Sequence, residues 1–133
     1  MQRAARALAR RFDDVFRPVG LTHGQFTLLM ALNRPHPPVM GEVAALLGMD
    51  RTTLTAALKS LARRGLVEVR ADENDKRSRR LILTPSGGEL LAVAYPLWKS
   101  AHGRLEAMFD SPERLRADLA HLARDAGPRH VVA

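Results

Sequence analysis

The residues with most chemistry to offer lie between Asp50 and Arg80. There nine basic side chains (Arg51, Lys59, Arg63, Arg64, Arg70, Lys76, Arg77, Arg79, Arg80) stand against five acidic ones. That local +4 is more than half of the formal net charge of +7, and clustered cations are the electrostatic footprint of a polyanion partner. Within the stretch, Thr52, Thr55, Ala56, Lys59 and Arg63 recur on one side of a helical wheel at about 100° per residue, opposite Leu54, Leu58 and Leu61. Small and hydroxylic residues would let that face enter a major groove closely. Threonine hydroxyls reach phosphates or base edges there, and Lys59 and Arg63 neutralise backbone charge. Asp50 supplies an N-cap, and the first turn offers N–H groups and a positive dipole end to a phosphate. The ordinary alternative is a solvated amphipathic helix, and on this segment alone that alternative is favoured. The polar tract Ala71 to Arg79 shifts the balance, because Lys76, Arg77, Arg79 and Arg80 can reach a phosphate backbone or a minor groove beside such a helix. Asp72, Glu73 and Asp75 would repel DNA if they faced it. They are therefore assigned to holding the arginines, with an ion pair from Asp75 to Arg77 or Arg79 expected.

Helical elements must carry these side chains. From Ala5, the apolar residues Leu8, Phe12, Val15, Phe16 and Val19 mark one helical face that ends near Pro18 and Gly20. Thr22 and Gln25 form a capping box for a second helix running to about Asn33, and Arg34-Pro-His-Pro-Pro38 is a loop because proline cannot propagate a helix. A short third helix over Met40 to Leu47 ends at Gly48, and Asp50 caps a fourth that Gly65 stops. Two helices meeting across Gly-Met-Asp make a helix-turn-helix. Leu66 to Arg70 and Arg80 to Leu83 read as strands of a hairpin with a long tip. Thr84-Pro85 opens a long helix through Leu90, Leu91, Ala94, Leu97, Trp98, Ala101, Leu105 and Phe109, with a kink expected at Pro96. Ser111-Pro112 opens a last helix with Leu115, Leu119 and Leu122, and the chain is expected to fray after Gly127-Pro128. The fold class is mainly α with a small β-hairpin wing: a winged helix-turn-helix flanked by N- and C-terminal helices.

Composition bounds the rest. A chain of 133 residues, 46% apolar and 26% charged, is one folded domain, yet it hides a modest share of its surface, so oligomerisation is expected. Lys59, Lys76 and Lys99 are the only lysines, so the arginine excess partly records codon bias and net charge alone decides little. The lack of cysteine removes disulfides, thiolate metal sites, cysteine nucleophiles and thiol-based sensing. No apolar run approaches the about 18 residues of a membrane span, and Arg3, Arg6, Arg10 and Arg11 lead into Asp13 and Asp14 rather than an export segment. A cytoplasmic location and no membrane partner are expected, and the four residues before Ala5 leave room for a longer natural N-terminus. His23, His36, His102, His121 and His130 include no pair at i, i+4 and no carboxylate motif of metal-site spacing, so neither metal nor other cofactor is expected. Signatures of hydrolases, P-loops and dinucleotide sites are absent too, Gly87-Gly88 being a helix start, and no catalytic residue is expected.

Taken together, Leu21-Thr-His-Gly-Gln-Phe26, Glu42-Val-Ala-Ala-Leu-Leu-Gly-Met-Asp-Arg-Thr-Thr-Leu-Thr55, Leu61-Ala-Arg-Arg-Gly-Leu-Val67, Asp72-Glu-Asn-Asp-Lys-Arg77 and Leu83-Thr-Pro-Ser-Gly87 resemble the MarR family of bacterial transcription regulators over nearly the whole chain. The resemblance implies a single domain over 1–133, with a DNA-binding winged part at 21–84 and helical dimerisation parts at 1–20 and 85–126. It places Arg51, Thr52, Thr53, Thr55 and Lys59 on the recognition helix, and Asp75 and Arg77 on the wing signature, with Arg77 at the minor groove. The full expected interface is Asp50, Arg51, Thr52, Thr53, Thr55, Lys59, Arg63, Asp75, Lys76, Arg77 and Arg79. The function it implies is a sequence-specific double-stranded DNA-binding regulator, a homodimeric repressor relieved by a small aromatic effector. The alternative is a winged-helix module for protein partners or for non-specific coating of DNA. Phe12, Phe16, His23, Phe26, Trp98 and His102 are the candidates to line an effector crevice, although each taken singly reads as plain core or interface packing. Apolar faces on the first helix and on the two C-terminal helices, with no domain of their own to cover them, also point to a dimer. Its DNA would be a palindrome with half-sites roughly 10 bp apart. Two departures from the family are Val39, where Ser or Thr often caps the third helix, and the Pro35 to Pro38 loop, expected to stiffen the connection without touching the DNA contacts.

Overall fold

The computed structural model describes residues 1–125. The predicted fraying point at Gly127-Pro128, His130 and the last residue of the 85–126 span lie outside the described residues. The elements are α1 (Gln2–Phe16), a 3-10 turn (Arg17–Val19), α2 (His23–Leu32), α3 (Met40–Leu47), α4 (Arg51–Arg63), β1 (Val67–Ala71), β2 (Arg79–Leu83), α5 (Pro85–Glu106) and α6 (Pro112–Asp125). They fall into two compact units, one from Met1 to Lys99 and one from Ser100 onward. The architecture is the expected one, mainly helical with one antiparallel hairpin.

Local chemistry explains most boundaries. Thr22 Oγ1 accepts from the Gln25 N–H at 3.1 Å and Gln25 Oε1 accepts from the Thr22 N–H at 3.0 Å, which closes the capping box of α2. Asp13 of α1 takes a further free donor of that helix end, the His23 N–H, at 2.7 Å. Val39 caps α3 without a side-chain hydrogen bond, and Gly48 closes it at φ +63°, where a Cβ is unfavourable. Gly87 meets a different constraint: a Cβ there would collide with the Leu66 carbonyl oxygen, so the helix start beside the hairpin base demands glycine. Thr84 makes that junction, donating to the Gly65 carbonyl at 2.7 Å and accepting from the Gly87 N–H at 3.0 Å.

Several boundaries differ from the sequence reading. Helix α1 begins at Gln2 rather than Ala5, because Gln2, Arg3 and Ala4 are helix formers and the Ala5 N–H already bonds Met1 at 3.1 Å. Leu66 is spent on closing α4, its N–H reaching the Leu61 carbonyl at 3.0 Å, so β1 starts at Val67 and pairs Ala71 with Arg79 at its far end. Helix α5 runs unbroken through Pro96 but stops at Glu106. The Met108 and Phe109 N–H groups fall back to Leu105 and Glu106 in tight turns, leaving Phe109 beyond the helix rather than on its stripe.

The core of the first unit gathers Phe16, Phe26, Leu28, Leu29, Val43, Leu54, Leu58, Leu61 and Leu81. Each fully buried Leu or Phe removes enough apolar surface from water to contribute about 1.5–3 kcal/mol. Leu54, Leu58 and Leu61 fix the roll of α4, so its opposite side must face outward. In the second unit, α6 has no buried residue.

Candidate nucleic-acid interface

Helix α4 is presented as a rigid unit. Its start is held by Asp50, whose Oδ1 accepts from the Thr53 N–H at 2.7 Å. That bond, with the Thr53 side chain and the Thr52 N–H, holds the Asp50 carboxyl below its ordinary value. Asp50 therefore fixes the first turn of α4. Arg51, Thr52, Thr53, Ala56, Lys59 and Arg63 are exposed and Thr55 is half-buried, an outer face opposite the leucine stripe.

The structure sorts the nine cations of the 50–80 stretch into two sets. Among the described residues, Arg51, Lys59, Arg63, Lys76 and Arg77 have side chains without an ion-pair partner. The other four are committed within the chain. Arg64 donates to the Gly20 carbonyl at 2.9 Å, and Arg70 holds Glu68 at 2.8 Å, whose hydrogen bonds and charge raise the Arg70 pKa further. Arg79 turns onto the tip, donating to the Lys76 carbonyl at 3.0 Å and the Ser78 carbonyl at 3.3 Å. Arg80 donates to the Pro37 carbonyl at 2.7 Å and lies 3.5 Å from Asp72. The cations left unpaired are thus three on or beside the outer face of α4 and two at the hairpin tip.

One reading of the tip is corrected here. The ion pair joins Asp72 to Arg80, not Asp75 to Arg77 or Arg79. Asp75 instead accepts from the Arg77 N–H at 3.0 Å and from the Ser78 hydroxyl at 3.4 Å, so its carboxylate orders the backbone under Arg77. The proline-rich loop is more than a stiff connector: besides Pro37, Pro38 accepts from the Leu81 N–H at 2.9 Å and Val39 bridges Arg80, which ties the loop to the wing. Arg64 and Arg80 were not legible as braces, since their partners lie 44 and 43 positions away with no local signal.

The candidate effector residues divide. Phe12, Phe16, Phe26 and Trp98 form an aromatic run with ring centroids 6.3, 4.4 and 6.2 Å apart, and Tyr95, absent from the sequence list, extends it at 5.8 Å from Trp98. Such offset arrangements suit aromatic rings and account for these residues as packing. Tyr95 also borders a cleft of about 410 Å³ lined by Met30, Asn33, Gly88, Leu91 and Ala92. His23 is exposed at the start of α2. His102 belongs to the second unit and lies 3.5 Å from Glu106, which also pairs with Arg116. His102–Glu106 and His121–Asp125, each one helical turn apart, are pairs that the histidine reading passed over; no group of three potential metal ligands occurs among the described residues.

Comparison with known proteins places this geometry. A model of the MarR family matches residues 19–78. The transcriptional regulator MOSR of M. tuberculosis, solved in complex with DNA, is 39% identical with a TM-score of 0.87, covering 94% of this chain and 91% of that one. The transcriptional repressor CouR, solved on a 23-mer DNA duplex, is 33% identical with a TM-score of 0.79, covering 94% and 88%. YybA of Bacillus subtilis, described as an uncharacterized HTH-type transcriptional regulator, is 30% identical over 94 residues, 68% of this chain. The match spans only 51% to 61% of the length of that and two further curated relatives. With the helix-turn-helix, the wing and the aligned structures in agreement, the chain belongs to the MarR family.

Proposed function

We propose that this protein is a sequence-specific regulator of transcription that binds double-stranded DNA as a homodimer. The observation carrying the reading is the sorting of cations. Of the nine cations between Asp50 and Arg80, those not braced within the chain lie on or beside the outer side of α4 and at the wing tip, where a groove-bound helix and a flanking loop would need them. Arg51, Thr52, Thr53, Thr55, Lys59 and Arg63 enter or flank the major groove, and Lys76 and Arg77 meet the minor groove or its phosphates. Asp50 and Asp75 hold the two backbones that present them. The apolar stripe of α6, uncovered within its own unit, is where a second copy packs, and the twofold axis then sets a palindromic site. Two of the similar structures were solved with DNA, one of them a repressor.

Repression relieved by a small aromatic molecule is the finer part of the proposal. It rests on the cleft beside Tyr95, whose ring lies 5.8 Å from that of Trp98, a place where a further ring could stack; Phe16 and Phe26 are buried in the core behind it. The proposed role is binding rather than catalysis, and the proposed place of action is the cytoplasm, where the DNA is.

The test is a titration of purified protein against a duplex from the region upstream of its own gene and against a shuffled duplex of equal length at physiological salt. Preference for the first, with affinity falling steeply as salt rises, is expected. Equal affinities would replace the regulator by a non-specific DNA coat, and no affinity for either would leave a module for protein partners.

A further inference from the structure

A two-stranded hairpin is marginal by itself, so the angle at which its tip meets a partner depends on what holds its strands. Here the tip end of β2 is joined to the loop ahead of α3 by Arg80 and by its neighbour Leu81, whose N–H donates to the Pro38 carbonyl at 2.9 Å. The backbone of Arg80 bridges Val39, its Nη1 donates to the Pro37 carbonyl at 2.7 Å, and its Nε lies 3.5 Å from Asp72 Oδ1. With 13% of its side chain exposed, Asp72 is the most shielded partner of any ion pair among the described residues, so this contact is less screened than the rest. Asp72 is also the first residue of the tip: its N–H donates to Ser78 at 3.0 Å and its Oδ1 accepts from the Asn74 N–H at 3.4 Å. Pro37 and Pro38 restrict the backbone that supplies the other anchor. A planar guanidinium can hold two acceptors at once in fixed directions, which an ammonium cannot.

We propose that Arg80 is a positioning residue for the wing: it does not touch nucleic acid, but spans from the Pro37 carbonyl to Asp72 and so sets the angle at which Lys76 and Arg77 are offered. The proposal rests on the DNA-binding reading above. Its signature is coupling, because the contribution of Arg77 depends on a pose that Arg80 maintains, whereas loss of general stability would leave that contribution unchanged.

The experiment is a double-mutant cycle, read as affinity for the upstream duplex, over wild type, Arg77→Ala, Arg80→Ala and the double variant. Arg77→Ala is expected to weaken binding about tenfold in the wild-type background and only about twofold once Arg80 is alanine. Equal losses in both backgrounds would overturn the proposal. Arg80→Lys, which keeps the charge but not the fork, is expected to behave as Arg80→Ala does; full recovery would mean that Arg80 acts as a phosphate contact and would overturn it as well. Asp72→Asn repeats the cycle from the other end of the brace should Arg80→Ala fail to fold. Without DNA, amide exchange is expected to speed up in Arg80→Ala at Asp72, Ser78 and Leu81 and to stay constant at Leu58 and Leu61. Unchanged exchange at the wing would refute the brace. A wild type that ignores the duplex would sink the regulator reading instead, with the exchange rates still deciding on Arg80.

Discussion

Helices α4 and α6 carry the same apolar stripe with opposite fates. Leu54, Leu58 and Leu61 on one and Leu115, Leu119 and Leu122 on the other share a spacing of four and then three residues. In α4 the three are 0%, 2% and 0% exposed, while Leu119 and Leu122 of α6 are 53% and 39% exposed. Periodicity therefore states that a face is to be covered, and leaves open by what. The α4 stripe is covered by its own chain, which turns the polar side outward. The α6 stripe stays exposed, and in the proposed dimer a second copy covers it.

The largest effect should separate the two stripes outright. Leu58→Ala should destabilise the fold by about 2–5 kcal/mol, seen as a lowered melting temperature, because the buried site cannot collapse fully around the missing atoms. Leu119→Asp should weaken self-association by about 2 kcal/mol in sedimentation equilibrium, as loss of an interface anchor does. Should Leu119→Asp melt the monomer and leave association intact, the two stripes would be alike and the comparison would fail. On the polar side, Arg77→Ala should cost about 1–3 kcal/mol of DNA binding with the dimer intact, and Lys59→Ala should reduce the salt dependence by about one counterion. A mobility shift of Arg77→Ala equal to that of wild type would remove the wing from the interface.

The smallest effect concerns the cap. The folded Asp50 pKa lies below its ordinary 3.8, so the carboxylate's contribution is complete above that value and is lost as pH falls through the lower folded value. Asn caps without titrating. The stability of wild type relative to Asp50→Asn should therefore decline as pH is taken below about 4, measured by melting across that range. A constant difference would mean that the cap is not held by the charge.

Much of this could be read without coordinates. The capping box at Thr22, the stop at Gly48, the Asp50 cap and the Pro85 and Pro112 starts are local chemistry, decided within a few residues, and each stands where the spacing put it. The exposed face of α4 followed from its leucine stripe in the same way. Phe109 fell off its helix because the tight turns that end α5 have no marker as plain as glycine.

What the sequence alone determined, then, is which elements form, which faces are apolar and where positive charge concentrates, since these depend on neighbours within a turn or two of chain. Only the tertiary structure decided which of the arginines are spent internally. Arg64 meets Gly20 and Arg80 meets Pro37 across more than forty positions, and a cation looks the same in sequence whether it binds a carbonyl of its own chain or is left for a phosphate. The commitment is made by geometry that exists only after α4 and the hairpin have packed.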